Sequence, residues 1–317
     1  MKTSLLSVLV PVYNESECLS PFYEKLCEVT AGLTCGLEIL FVNDGSTDDS
    51  LERIKALQRS DSRIACIDLS RNFGKETAVS AGIEHIRGDA LVILDADLQD
   101  PPELIPEMLA GIEEGYDDVY GTRVSRHYES RLKRWTSLQY YRLLRLFSDI
   151  EVQENTGDFR MFSSKAIEAL RSIKESERNM KGLFSYIGFQ KKSIPYEQPP
   201  RVAGHTKWNY LKLFNLAIKG WTSFSVIPLR IISFTGVVVS VTAFIYLMVV
   251  LIKALFLGDP VGGYPSMMCI ILFLGGLLLL ALGIIGEYLG IIYRETKKRP
   301  YYFVNDVLRI EAGIIQK

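Results

Sequence analysis

The segment Val92-Ile-Leu-Asp95-Ala-Asp97-Leu-Gln99-Asp100-Pro-Pro runs an apolar stretch straight into two carboxylates separated by one residue. That spacing suits a hard divalent cation, because Mg²⁺ and Mn²⁺ take one or two carboxylates and fill the rest of an octahedron with water and substrate phosphate. A diphosphate leaving group needs its charge neutralised in this way. A plainer reading is an acidic turn that caps the next helix, which Asp100-Pro101-Pro102-Glu103 also satisfies. Two more polar clusters follow apolar runs: Pro11-Val-Tyr13-Asn14-Glu15, and Asn43-Asp44-Gly45-Ser46-Thr47-Asp48-Asp49-Ser50, in which Ser46 or Asp48 is the expected helix cap. Arg71-Asn72-Phe73-Gly74-Lys75 adds two cations and a glycine after a third run.

Positioning these clusters requires an α/β architecture. Strands are expected at Leu5–Val12, Glu38–Val42, Ile64–Asp68 and Ala90–Leu94. Between them, Ser16–Ala31, Asp48–Ser60 and Lys75–Ile86 carry apolar residues at helical spacing. Alternation of this kind predicts a mostly parallel sheet with helices on both faces. The strands then end on one rim, where ligands of open α/β sheets bind.

The rest of the chain reads differently. The 36 Lys+Arg nearly balance the 37 Asp+Glu, yet residues 231–286 contain only Lys253 and Asp259. Ile231–Leu257 and Met267–Gly286 are each long enough, at about 1.5 Å per residue, to cross a hydrocarbon core of roughly 30 Å. Trp208–Pro228 has the pattern of an amphipathic interfacial helix. The loop Gly258–Pro265 lacks Lys and Arg, whereas Arg230 precedes the first span and Arg294, Lys297, Lys298 and Arg299 follow the second. Positive-inside bias therefore places residues 1–207 and the tail 294–317 in the cytoplasm. Lys253 snorkels from the outer end of the first span, and Glu287 lies at the inner boundary of the second. Five cysteines without a C-x-x-C pair suggest neither disulfides nor zinc, and Leu5–Val12 lacks a cleavage pattern, so it reads as a strand and not a signal peptide.

Taken together and in this order, the segments ending in Glu15, Asp44 and Asp97 resemble the family-2 glycosyltransferases of GT-A fold. More closely, the chain resembles the polyprenyl-phosphate hexosyltransferases, including the bactoprenol glucosyltransferases and dolichol-phosphate mannose synthase. The resemblance implies a nucleotide-sugar-binding domain at 1–207, interfacial helices at 208–230, two spans within 231–293 and a C-terminal tail. It implies that Pro11, Tyr13, Glu15, Asp44, Asn72 and Lys75 hold the donor, and that Asp95, Asp97 and Gln99 bind Mg²⁺ or Mn²⁺. Asp158, in Gly157-Asp158-Phe159-Arg160, is the implied catalytic carboxylate; pairing with Arg160 is its structural alternative, and Arg123 and Arg160 complete the catalytic set. In the basic run Arg123, Arg126, Arg131, Lys133, Arg134, residues Arg123, Arg131 and Arg134 are expected on the acceptor phosphate. Arg201 and Lys207, in Arg201-Val-Ala-Gly204-His205-Thr206-Lys207, resemble a flap whose cations reach the diphosphate, with His205 an exposed loop residue.

The implied reaction is inverting transfer of one hexose, glucose favoured, from UDP-glucose to undecaprenyl phosphate. The partners are then a sugar nucleotide, a lipid phosphate, the bilayer and a second copy of the chain, since Gly275, Gly276, Gly283, Gly286 and Gly290 permit close helix packing. A processive polysaccharide synthase is disfavoured because Arg131-x-x-Arg134-Trp135 precedes Gly157-Asp158. A non-catalytic scaffold or translocation subunit is disfavoured because Asp95, Asp97 and Asp158 are all retained.

Overall fold

The computed structural model describes residues 2–124, 156–175, 180–197, 227–257 and 263–309. Among these the chain forms two compact units: residues up to 197 with 300–309, and residues 227–257 with 263–299. The expected donor contacts Arg201 and Lys207, the acceptor contacts Arg131 and Arg134, and the interfacial helix Trp208–Pro228 up to residue 226 lie outside the described residues.

The first unit carries, in chain order, β1 (Leu5–Val12), α1 (Ser16–Thr30), β2 (Gly36–Asn43), α2 (Ser50–Ser60), β3 (Ile64–Leu69), α3 (Lys75–His85) and β4 (Ala90–Ile93). A 3₁₀ turn (Pro102–Leu104) then leads to α4 (Ile105–Glu113), β5 (Asp118–Arg123), β6 (Thr156–Ser163), α5 (Ser164–Ser172), α6 (Met180–Tyr186), β7 (Lys191–Tyr196) and, much later, β8 (Val304–Arg309). The strands form one eight-stranded sheet in the order β7-β5-β6-β4-β1-β2-β3-β8. β1 to β4 are parallel, as their near-continuous apolar runs require of strands covered on both faces; Val8, Leu9, Leu40, Phe41, Val92 and Ile93 are fully buried. The helices bury one stripe each, such as Leu19, Phe22 and Leu26 of α1.

The four expected strands and three expected helices are present with boundaries shifted by a residue or two. α2 starts at Ser50, not Asp48, because Asp48 stays outside the helix: its Oδ1 accepts the Ser50 amide at 3.0 Å and its Oδ2 the Ser16 amide at 3.2 Å. Two strands oppose the others. β6 is antiparallel to both β4 and β5, so its first residues, not its last, reach the rim where β4 ends. β8 pairs antiparallel with β3, so the segment expected to be a tail beyond residue 294 closes the sheet edge instead. Arg309 there donates to Glu38 Oε1 at 3.0 Å and to the His85 carbonyl at 2.6 Å, and Tyr302 donates to Glu84 at 2.6 Å.

The second unit is helical: α7 (Ile227–Leu257, 31 residues) and α8 (Tyr264–Lys297, 34 residues). They cover the two expected spans, and α8 continues past Gly286 to Lys297. Of the described stretches, Phe273–Lys297 is long and apolar enough to cross a membrane, whereas Ile232–Tyr246 is shorter. Leu278, Leu279, Leu280 and Leu282 on α8 are exposed.

Candidate active site

Antiparallel pairing of β6 beside β4 builds the centre of the site. Ile93 opposes Arg160 in the ladder, and continuing that register by two residues sets Asp95 against Asp158. Lys75, the first residue of α3, fills the place between them: its Nζ lies 2.7 Å from Asp95 and 2.7 Å from Asp158. Burial pushes the Lys75 ammonium down, but the two carboxylates outweigh it and hold the group above the ordinary lysine value. Burial likewise pushes Asp158 up, and Lys75 and Lys181 reverse that, so Asp158 is held below the usual carboxylate range. Asp158 Oδ1 is buried and accepts no hydrogen bond. Its expected structural partner, Arg160, is not the residue it pairs with.

The loop that starts α3 is fixed from below. The Phe73 and Gly74 amides donate to Asp44 Oδ1 and Oδ2 at 2.7 and 2.9 Å. Asp44 is buried at 2% exposure and its two oxygens accept these amides, so it fixes the loop that presents Lys75. Burial raises its pKa above the ordinary value despite those two amides. Gly45 follows it at φ +62°, and a Cβ there would stand 2.4 Å from the Arg71 carbonyl carbon, which is why glycine occupies the turn. Asn14, also in the left-handed region at φ 54°, accepts the Thr47 amide at 2.8 Å and donates its own amide to Ser46 Oγ at 3.0 Å. The loops after β1 and β2 are thereby locked together. On their outer side Tyr13 is 39% exposed, Pro11 and Glu15 are partly exposed, and Asn72 is exposed.

After β4 the chain turns sharply. Leu98 sits at φ 58°, a conformation disfavoured for a side chain of its size, and the Gln99 amide donates to Asp97 Oδ1 at 3.1 Å. The turn leaves Asp95, Asp97 and Gln99 partly exposed at the rim. Among the described residues no group of three or more His, Cys, Asp or Glu is gathered as a cage for a metal. Two carboxylates and an amide oxygen fit a hard cation that completes its shell with water and substrate phosphate, and do not fit a cation held by protein alone.

Asp100 is not the cap that its sequence position suggests; the 3₁₀ turn has no side-chain cap. Asp100 is buried, accepts Tyr196 Oη at 2.9 Å and lies 3.7 Å from the Arg123 guanidinium, whose Nε donates to Tyr196 Oη at 3.1 Å. Burial, with Asp95 adding to it, pushes Asp100 up to about 6. Arg123 thus reaches the rim at the end of β5, beside Gly157, where a Cβ would stand 3.2 Å from its terminal nitrogen.

Arg160, placed with the catalytic groups on sequence grounds, is the exception. It is 1% exposed, lies 2.8 Å from Asp118, and stacks on Tyr120 and Phe184 at 4.9 and 5.3 Å. Two residues beyond Asp158 on β6, it is turned into the domain, where it pairs with Asp118. Four residues of this neighbourhood went unremarked as functional in the sequence: Glu76, Asp100, Asp118 and Tyr196. Glu76 accepts the Met180 amide at 2.7 Å, and burial together with Asp158 pushes it up to about 7; adjacency to Lys75 is the one signal that pointed to it.

A sheet of this order, with carboxylates at the ends of β4 and β6, is an α/β fold of GT-A type. Residues 7–171 match the model of "Glycosyl transferase family 2", and the chain belongs to that family: it is a glycosyltransferase. It is 44% identical over 312 residues to an uncharacterized glycosyltransferase of Synechocystis sp., covering 98% of each chain. It is 42% identical over 299 residues to the bactoprenol glucosyl transferase of Shigella phage SfX, covering 94% of this chain and 98% of that protein. Among solved structures it is similar, at 19% identity and a TM-score of 0.44, to glucosyl-3-phosphoglycerate synthase from Mycobacterium tuberculosis in complex with Mn²⁺ and UDP-glucose, covering 68% of this chain and 76% of that one.

Proposed function

We propose that the protein transfers a single glucose, with inversion, from UDP-glucose to a polyprenyl phosphate such as undecaprenyl phosphate at the cytoplasmic face of a membrane. The observation that carries the reading is the convergence of Asp95 and Asp158 on Lys75 at the rim. The name of the phage relative, matched over nearly the whole chain, supports the sugar and the acceptor. Helices α7 and α8 support two spans over Ile231–Leu257 and Met267–Gly286.

Donor binding falls to Pro11, Tyr13, Glu15, Asp44, Asn72 and Lys75 at the rim, joined by Arg201 and Lys207. Asp95, Asp97 and Gln99 would hold Mg²⁺ or Mn²⁺, which neutralises the charge growing on the diphosphate as it leaves. Arg123 meets the acceptor phosphate together with Arg131 and Arg134. A phosphate oxygen forms the new bond to the anomeric carbon while the bond from that carbon to the UDP oxygen breaks and its electron pair leaves with UDP. With a second pKa near 6, the acceptor phosphate already lacks its proton at neutral pH. A carboxylate held below its usual range is a weak base, so Asp158 supports the reaction by orienting the acceptor and facing the positive charge that develops on the sugar.

The test is transfer by the full chain in detergent with Mg²⁺ or Mn²⁺, undecaprenyl phosphate, and radiolabelled UDP-glucose or GDP-mannose in separate reactions. The proposal expects label from UDP-glucose in the organic phase, lost in Asp97→Ala. Label only from GDP-mannose would replace the donor, label only in an insoluble polymer would favour a processive synthase, and no label despite donor binding would favour a non-catalytic role.

A further inference from the structure

Lys75 stands between the two carboxylates at the rim. Its ammonium straddles the Asp95 carboxylate, 2.7 Å from each oxygen, while also touching Asp158 at 2.7 Å. The placement is built in. Asp44 clamps the two amides that precede α3, so Lys75 begins the helix at a fixed point, and its side chain stays 41% exposed. Asp95 is also one of the carboxylates read above as serving a divalent cation. An ammonium and a metal ion of like charge cannot share one carboxylate without strong repulsion.

We infer that Lys75 is an internal counter-cation that closes Asp95 to divalent metal until a nucleoside diphosphate arrives, so that metal enters with the donor and not before it. The inference rests on the reading of Asp95 and Asp97 as metal carboxylates. The incoming diphosphate gives Lys75 a different anionic partner and brings the oxygens that the two carboxylates lack. Free metal then does not fill the site of the resting enzyme, while Lys75 stays 2.7 Å from Asp158. Lys75 is a positioning residue in this sense, acting on the metal through Asp95.

Mn²⁺ binding to the full chain in detergent, followed by electron paramagnetic resonance, tests this in wild type, Lys75→Met and Lys75→Arg, with and without UDP. Wild type is expected to bind Mn²⁺ at least tenfold more tightly with UDP than without. Lys75→Met is expected to bind Mn²⁺ without UDP at least tenfold more tightly than wild type, and Lys75→Arg, which keeps the charge, to behave as wild type. Unchanged or weaker Mn²⁺ affinity of Lys75→Met without UDP, while Asp97→Ala abolishes binding with UDP, would overturn the inference and leave the metal reading standing. Failure of wild type and every variant to bind Mn²⁺ even with UDP would remove both. If thermal unfolding shows that Lys75→Met does not fold, Lys75→Gln carries the same expectations.

Discussion

Asp118→Leu is the perturbation that separates a structural Arg160 from a catalytic one. Arg160 and Asp118 are 1% and 0% exposed and 2.8 Å apart, with Lys191 a further cation 3.9 Å from the same Asp118 oxygen. Burial pushes Asp118 up in spite of both cations, so desolvation already exceeds what the pairing returns. Removing the carboxylate alone takes a counter-ion from a buried guanidinium, at a cost of about 3–5 kcal/mol. At about 2–4 °C per kcal/mol for a domain of this size, Tm falls by about 6–20 °C. Replacing both partners, Asp118→Leu with Arg160→Met, removes the buried charge as well as the pair, and such replacements run from neutral to stabilising. Tm should therefore recover to within a few degrees of wild type. The assay is thermal unfolding of the full chain in detergent, read by tryptophan fluorescence, with lipid-linked transfer measured on the double variant at a temperature where it is folded. Because Arg160 is 1% exposed, the double variant should keep kcat/KM within about fivefold. Additive losses of Tm in the double variant would refute the buried-pair argument; recovered Tm with a hundredfold loss of kcat/KM would return Arg160 to the reacting groups.

Asp158→Asn should lower transfer by about 10²–10³ while leaving UDP affinity within a few-fold, as read by titration calorimetry; full activity would remove Asp158 from the reaction. Glu76, pushed up to about 7 from an ordinary 4.5, binds more protons folded than unfolded, so its contribution to stability falls as pH rises between those values and stays lost above them. Glu76→Gln should therefore gain stability over wild type at pH 8, by at most about 3 kcal/mol, and little at pH 4; equal Tm differences at both pH values would contradict the shift. Gly45→Ala meets both a positive φ and the Arg71 backbone at 2.4 Å, and should cost about 1–3 kcal/mol and weaken UDP binding by displacing the Asn72–Lys75 loop. An unchanged Tm would show that the two loops separate freely.

The first four strands and their helices were legible because each is a run with a single period: buried apolar for the strands, three-and-four spacing for the helices. β6 and β8 were not, for different reasons. The sequence Thr156-Gly-Asp-Phe-Arg-Met-Phe-Ser buries Arg160 with a partner 42 residues away, and a buried arginine reads as an exposed one until Asp118 is placed. β8, Val304-Asn-Asp-Val-Leu-Arg, is short and charged, as edge strands are, and nothing local ties it to β3. At the site, Asp95, Asp97 and Asp158 stood out by type and by resemblance. Their arrangement did not: that Lys75 lies between Asp95 and Asp158 depends on the antiparallel register of β6, and that Asp44 faces inward depends on the loop it clamps. Both are products of pairing between distant segments, which no local pattern encodes.

The edge strand β8 also carries a consequence in time. Asn305 reaches Asp68 across 237 residues of chain, and translation at roughly 5–20 residues per second separates their synthesis by about 10 to 50 s. Throughout that interval β3 has its helices available but no neighbour on its outer side, and its open row of amides and carbonyls can recruit another nascent chain. Both long helices emerge from the ribosome before β8 does. The β3 edge of the sheet is therefore closed only after the apolar helices have been made.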